Sequence, residues 1–384
     1  MTDKDIKMFE LGELLDFEQP TKYIVKSTKY DNKNKTPVLT AGKTFILGYT
    51  NETEGVFEKN LPVIIFDDFT TAIKFVNFSF KVKSSAMKIL SADKNKVNIR
   101  FLFYIMQGII YPIKKHKRYW ISEYSKIKIP LPPLNEQKRI SDKIDKIFIE
   151  INKAIEQTES ALQNSSKLLD GKLKEFFENQ TENFLKTTLE ELSQKVKSGG
   201  TPNTTNKKFW NGEIPFVKIS DITYADKFLE ETKLKITEDG LDSSSSWLVP
   251  IGSLILSMYG TVGKVVITKF PVAITQNMAG IIANKNVSIS YLYYAFRYIE
   301  KNELKKHLKQ SVHQHFGVGE AKKMPIIIPV KDGKPSLSRQ EKIAREFEKI
   351  ENIGNELQKK YQEQINNFNE LKQSILNQAF QGKL

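Results

Sequence analysis

Residues 131–177 and 337–380 carry the same long amphipathic pattern, and a chain that says so much twice must fold as two copies of one module. Laid over each other, Gln137 falls on Gln340, Ile140 on Ile343, Ile144 on Phe347, Ile147 on Ile350, Leu162 on Ile365, Leu168 on Leu371 and Phe177 on Phe380. The stretches ahead echo more faintly: Leu11, Leu14 and Pro37 answer to Leu189, Leu192 and Pro215, and Ile64-Ile65-Phe66 with Thr71 and Lys74 to Leu254-Ile255-Leu256 with Thr261 and Lys264. A unit this long is not the short repeat of a solenoid. Each copy is a globular part followed by a long helix.

The helices show the alternating steps of four and three that mark a coiled-coil seam. The residues expected at the helix-pair interface are Ile140, Ile144, Ile147, Ile151, Leu162 and Leu169 in the first copy, and Ile343, Phe347, Ile350, Leu357, Ile365, Phe368 and Leu371 in the second. Pro132-Pro133 bars backward extension, with Asn135 as the expected N-cap of the first helix and Ser338 of the second. Gly171 and Gly354 weaken their helices locally. Roughly 43 residues give a rod of roughly 64 Å.

With the order globule, helix, globule, helix, the second helix can follow the first along its length only by running back. The expected fold is therefore mixed α/β: two globular domains joined by two long antiparallel helices about an approximate two-fold. The boundaries are residues 1–133 for the first domain, 134–180 for the central helix, 181–336 for the second domain and 337–384 for the last helix. An intermolecular coil is the alternative.

Within the globules, strands are expected at Val63–Phe66, Phe75–Val82, Ile214–Ile219, Ser253–Met258 and Lys264–Thr268. Short helices are expected at Phe9–Asp16, Asn98–Gly108, Thr188–Val196 and Ser290–Leu308. Loops rich in Gly, Thr, Ser and Asn separate them, and such side chains both donate to and accept from base edges. The globules have diverged more than the helices, as two different reading heads on one scaffold would.

Charge points to the partner. Lys+Arg is 59 against Asp+Glu 45, a net +14, which creates an attractive field for phosphate backbones. The basic residues lie beside aromatic and small polar ones, a mixture suited to phosphate contacts next to base edges. Candidate DNA-contacting residues in the first globule are Lys22, Lys26, Lys74, Lys114, Lys115, Lys117, Arg118 and Tyr119. In the second they are Lys197, Thr201, Lys207, Lys208, Lys218, Tyr259, Lys264, His313, Gln314 and His315. The 384 residues include no cysteine, which excludes disulfides and thiolate metal sites and fits a cytoplasmic location. No stretch is long and apolar enough for a membrane span, and MTDKDIKMFELGELLD is too polar for a secretory signal.

Catalytic motifs are missing. Gly260-Thr261-Val262-Gly263-Lys264 lacks phosphate-loop spacing and reads as a turn between strands. No glycine-rich dinucleotide or S-adenosylmethionine fingerprint is present. His313 and His315 lack a third ligand nearby for a metal. Asp67-Asp68 lacks the Glu-x-Lys partner of a nuclease site and reads as a solvated loop.

These residues resemble the specificity (S) subunit of type I restriction-modification systems, over essentially the whole chain. The run Ile129-Pro130-Leu131-Pro132-Pro133-Leu134-Asn135-Glu136-Gln137 is similar to the family's opening of the central spacer, and residues 371–384, LKQSILNQAFQGKL, to its closing signature. Gly199-Gly200-Thr201-Pro202 with Trp210-Asn211-Gly212-Glu213-Ile214-Pro215 is similar to the start of many target recognition domains. The first domain departs from that pattern, with Gln19-Pro20-Thr21-Lys22-Tyr23 and Thr36-Pro37-Val38-Leu39, so the half-sites should differ. Lys331-Asp332-Gly333-Lys334 is inserted before the second helix.

The resemblance implies a non-catalytic, DNA-reading subunit with no cofactor of its own. It implies a bipartite, asymmetric target with a gap of free sequence, two methyltransferase subunits that bind S-adenosylmethionine, and two restriction subunits that use ATP and magnesium. The helix pair would then act as a ruler. Four inserted residues add roughly 6 Å, more than a base-pair step of about 3.4 Å, and should change the gap without changing the half-sites. Competing readings are a coiled-coil protein-interaction scaffold, a solitary specificity subunit or decoy, and a nuclease.

Overall fold

The computed structural model describes residues 7–42, 44–112, 118–180, 183–304 and 316–384. The architecture is mixed α/β in two compact units, residues 1–159 with 362–384 and residues 160–361. The division falls inside both long helices.

In the first unit, β1 (Lys7–Glu10), α1 (Leu11–Leu14) and β2 (Asp16–Glu18) replace the helix expected over Phe9–Asp16. Residues 7–10 are drawn into an antiparallel pair with β9 (Lys128–Leu131), and tertiary pairing overrides the local helical spacing. The strands β3 (Thr36–Leu39), β4 (Ile46–Thr50), β5 (Val63–Asp67), β6 (Ile73–Val76), β7 (Lys81–Val82) and β8 (Met87–Ser91) form two sheets, ordered β2, β8, β5, β6 and β4, β3, β7. The single strand expected over Phe75–Val82 is thus two, one in each sheet. Helix α2 (Ile99–Gly108) packs on the first sheet, and Asn98 caps it by accepting the Phe101 N–H at 3.0 Å.

Two helical segments follow, α3 (Leu134–Ser166) and α4 (Leu168–Glu178), interrupted at Lys167 rather than running on as one helix. In the second unit the strands are β10 (Phe184–Thr188), β11 (Ser193–Ser198), β12 (Trp210–Val217), β13 (Phe228–Leu229), β14 (Leu234–Ile236), β15 (Leu248–Val249), β16 (Leu254–Ser257), β17 (Val265–Thr268), β18 (Val272–Ile274), β19 (Met278–Ala283), β20 (Pro325–Lys331) and β21 (Lys334–Pro335). The helices are α5 (Ile219–Tyr224), α6 (Glu238–Asp242), α7 (Ile289–Ile299), α8 (Val318–Lys322) and α9 (Leu337–Phe380).

Its sheets run β11, β19, β16, β17, β13; β14, β12, β18, β15; and β10, β20, β21. Every residue of β16 and β17 is buried, which is why LILS and VVIT are apolar up to a terminal Ser257 and Thr268. The helix expected over Thr188–Val196 is absent: Leu189 and Leu192 lie in a turn, and β11 pairs with β19. Beyond Ile299, α7 widens into a π-helical segment, Glu300–Leu304, and the rest of the helix expected to Leu308 lies outside the described residues.

The two globules share a core topology, to which the second adds one edge strand in each sheet, β13 and β15. In each, a central hairpin (β5–β6, β16–β17) borders the strand that begins at a methionine (β8, β19), and a parallel pair (β3·β7, β12·β18) builds the second sheet.

The long helices do not form a self-contained seam. In the first unit, Ile140, Ile144, Phe148 and Ile151 share a core cluster with α2 and with Ile375, Leu376 and Ala379, while Ile147 and Phe368 lie at its margin. In the second unit, Leu169, Leu173 and Phe177 join Phe347 and the tyrosines of α7, with Ile343 and Ile350 alongside. In each unit the early part of one helix lies beside the late part of the other, as an antiparallel pair requires. Leu162 and Leu357 are half-buried and Ile365 is buried.

Leu371 is 47% exposed and does not belong to the interface. A straight helix drifts against a seven-residue repeat, and the drift puts Lys372 in that place, over the Phe148 ring and donating to Asn152 Oδ1 at 2.9 Å. The expected caps shift too. Helix α3 already includes Leu134, and Asn135 Oδ1 accepts the Glu136 N–H at 2.9 Å. At α9 the Ser336 carbonyl, rather than Ser338, accepts the Gln340 N–H at 3.1 Å.

Candidate nucleic-acid interface

In the second unit four polar loops meet at one end of the sheets. The first, Gly199-Gly200-Thr201-Pro202, is pinned to the turn between β18 and β19: Gly200 N donates to Ile274 O at 3.1 Å and Gly199 N to Met278 O at 3.3 Å. A Cβ on Gly199 would collide with the Ile274 carbonyl, and one on Gly200 with Ser245, so only glycine allows this approach. The approach brings Thr201 Oγ1 within 2.5 Å of Gln276 Oε1, to which it donates. Met258 N reaches Asn277 O at 2.9 Å, which places the β16–β17 turn beside the same loop.

That turn carries Tyr259, 65% exposed, and packs Gly260 against Ile219 of α5. Lys218 precedes α5, its N–H donating to Asp221 Oδ2 at 2.9 Å, and Tyr224 ends it 84% exposed. Thr201, Tyr259 and Lys218 are therefore brought together. Lys207 and Lys208 are exposed near the Thr201 loop, where Trp210 Nε1 donates to Asn203 O at 3.1 Å. Lys197 is exposed on β11.

Lys264 does not project outward. Its Nζ donates to Thr223 O at 2.7 Å, and burial lowers its pKa against the opposing charges of Glu300 and Asp226, so it braces α5. His313, Gln314 and His315 lie outside the described residues.

The first unit builds the corresponding end from different side chains. Asp68 N donates to Ala86 O at 3.0 Å, the counterpart of Met258 to Asn277, so Lys83-Ser84-Ser85 stands where Gln276 stands in the other unit. The Asp67 carboxylate accepts the Phe69 and Thr70 N–H groups, both at 2.9 Å. Asp68 is not a solvated loop residue. It is buried, paired with buried Lys88 at 3.4 Å, and accepts the Trp120 N–H at 2.8 Å.

Of the other candidates here, Lys22 pairs with Glu18 at 2.6 Å, Lys26 with Glu54 at 3.5 Å, and half-buried Lys74 lies over the Phe45 ring. Arg118 is exposed. Tyr119 is 1% exposed and packs edge-on against Tyr111, so its side chain belongs to the core and not to a DNA-facing surface. Lys114, Lys115 and Lys117 lie outside the described residues. Gln276, Asn277, Tyr224 and Ser84-Ser85 are not among the residues that charge and motif single out. The signal for two of the loops is a short polar insert between buried strands, VAI-TQN-MAGII and KV-KSSA-MKIL, after the parallel strand of each unit.

Among the described residues no group of three or more His, Cys, Asp or Glu could hold a metal, and no helix is long and apolar enough to cross a membrane.

Comparison with known proteins places this arrangement. The family profile described as "Type I restriction modification DNA specificity domain" matches residues 3–160 and 181–367. The chain is 33% identical over 370 residues to the specificity subunit of the type I restriction enzyme EcoR124I/EcoR124II of Escherichia coli, covering 92% of this chain and 88% of that one. It superposes with a TM-score of 0.76, at 18% identity and 100% coverage of both chains, on a chain from a structural study of complex assembly in the type I R-M system. On the HsdS subunit from Thermoanaerobacter tengcongensis the TM-score is 0.60, again at 18% identity, over 100% of this chain and 98% of that one. At that identity the two structures speak for the fold.

Proposed function

Because the chain belongs to the type I restriction-modification DNA specificity family, we propose that it reads a bipartite, asymmetric DNA target, one half with each unit, and recruits methyltransferase and restriction subunits to it. The carrying observation is a single core topology used twice with unlike loop ends: Thr201, Gln276, Asn277 and Tyr259 in one unit, Lys83-Ser84-Ser85 in the other. One fold with two chemistries suits two different half-sites.

Exposed lysines supply affinity and register through phosphates, and loop side chains supply base choice. The chain performs no catalysis in this reading. S-adenosylmethionine, ATP and magnesium belong to the partner subunits, two of each kind, and the assembly works in the cytoplasm. The limits 1–133, 134–180, 181–336 and 337–384 are proposed as the division into recognition parts and spacer helices, although the compact units divide inside the helices.

The test is methylome sequencing of cells expressing the chain with its cognate methyltransferase. Adenine methylation at two unlike half-sites separated by a fixed number of free bases is expected. Salt-insensitive association with proteins and no methylation motif would instead favour an interaction scaffold.

A further inference from the structure

The geometry points to Gln276 as the residue that reads an adenine in the half-site recognised by the second unit, with Thr201 as its positioning residue. The inference rests on the DNA-reading function proposed above and assigns one base contact within it.

The Thr201 hydroxyl donates to Gln276 Oε1, which fixes the carboxamide plane. An amide oxygen has two lone pairs, and this bond uses one. What stays available on the exposed Gln276 side chain is the second lone pair and the Nε2 donors, one acceptor beside a donor. The major-groove edge of adenine offers the complement, the N6 donor and the N7 acceptor, and a bidentate pair between them discriminates against the other bases. Guanine offers two acceptors at that edge, and cytosine a donor without the adjoining acceptor.

Thr201 is itself held in place. Glycine at 199 lets the loop lie against Ile274 and glycine at 200 lets it lie against Ser245-Ser246, so the glycines, the threonine and the glutamine form one pre-set unit. A side chain held in its reading conformation before binding loses less freedom on binding. Ser85, close to the corresponding place in the first unit, has no carboxamide, so this contact is expected in only one half-site.

The experiment compares the full chain, co-expressed with its methyltransferase subunits, as wild type, Gln276→Ala, Gln276→Glu and Thr201→Val, reading the methylome and selection from a pool of randomised duplexes. In Gln276→Ala, preference at one adenine of one half-site should fall by roughly 5- to 150-fold, the range of a bidentate base contact. In Gln276→Glu, which can only accept, that position should move toward cytosine. Thr201→Val should weaken the same position by less.

The untouched half-site reports that each variant is folded and assembled. The assignment is overturned if Gln276→Ala and Gln276→Glu both retain the wild-type motif, or if the relaxed position is not adenine. A wild-type complex that selects no bipartite motif would overturn the underlying function, and the assignment with it, which separates the two failures.

Discussion

Gln340 Oε1 accepts the backbone N–H of Ser288, the N-cap of α7, at 2.8 Å. Its Nε2 donates to Asn286 O at 3.0 Å. In the other unit Gln137 does the same, accepting from Asn98 at 2.8 Å and donating toward Lys96 O at 3.5 Å and Pro132 O at 2.8 Å. Both glutamines are buried, so each long helix holds the start of its globule's packing helix through one amide.

Gln340→Leu leaves the buried Ser288 N–H unpaired, at a cost of about 1–3 kcal/mol, and Gln137→Leu leaves the half-buried Asn98 N–H unpaired, at a smaller one. Gln340→Leu should lower the urea midpoint of the second unit, and Gln137→Leu that of the first. Amide hydrogen exchange should quicken at Ser288 or Asn98 respectively.

Helix glycines should respond in opposite degree. A Cβ on Gly171 meets nothing within 4 Å, so Gly171→Ala should stabilise by about 0.5–1 kcal/mol, seen as a raised melting temperature. At Gly354 a Cβ would come within 3.4 Å of Ser165 O in the packed interior, and the gain from Gly354→Ala should be smaller or absent.

Acid should weaken the first unit through Glu52. Burial raises its pKa, but N–H groups of Ser27 and Lys26 and the buried Lys81 ammonium at 3.1 Å outweigh it, and the net shift is downward from 4.5. A carboxylate with a depressed folded pKa contributes stability above its unfolded value and loses it as pH falls through the folded one. Wild type should therefore lose stability below about pH 4.5 more steeply than Glu52→Gln, followed by thermal melts across pH 3–6.

Lys207→Ala and Lys208→Ala should weaken DNA binding alike on every sequence. If the lysine neutralises one phosphate, its removal should flatten the slope of log K against log salt by roughly 0.9, with no change of motif. A motif change in these variants would move base readout to the lysines.

The helices are legible in the sequence because periodicity reports burial directly: Ile140, Ile144 and Phe347 lie where their spacing puts them. Leu371 falls outside the interface because a seven-residue template ignores the drift that turns Lys372 inward. The end of the helix expected over Thr188–Val196 is instead the start of a strand, because its partner begins at Met278, far beyond any local window. Charge singles out Lys218 and Lys207, which are exposed, but also Tyr119, which is buried, since an aromatic beside a basic run looks the same in either place. Gln276 carries neither charge nor periodicity, and only the glycine-permitted approach of Thr201 singles it out.

The compact units begin and end within helices, at 159/160 and 361/362, because Ile144 and Phe347 each serve as core for the globule beside them. An exchange of one unit between related chains therefore keeps that unit's core intact only if it crosses over mid-helix at both places. A cut at the globule's own edge would strip Ile140, Ile144 and Phe148 from beneath α2 and leave a raw apolar floor. Each unit is exchangeable only together with the helix segments that floor it.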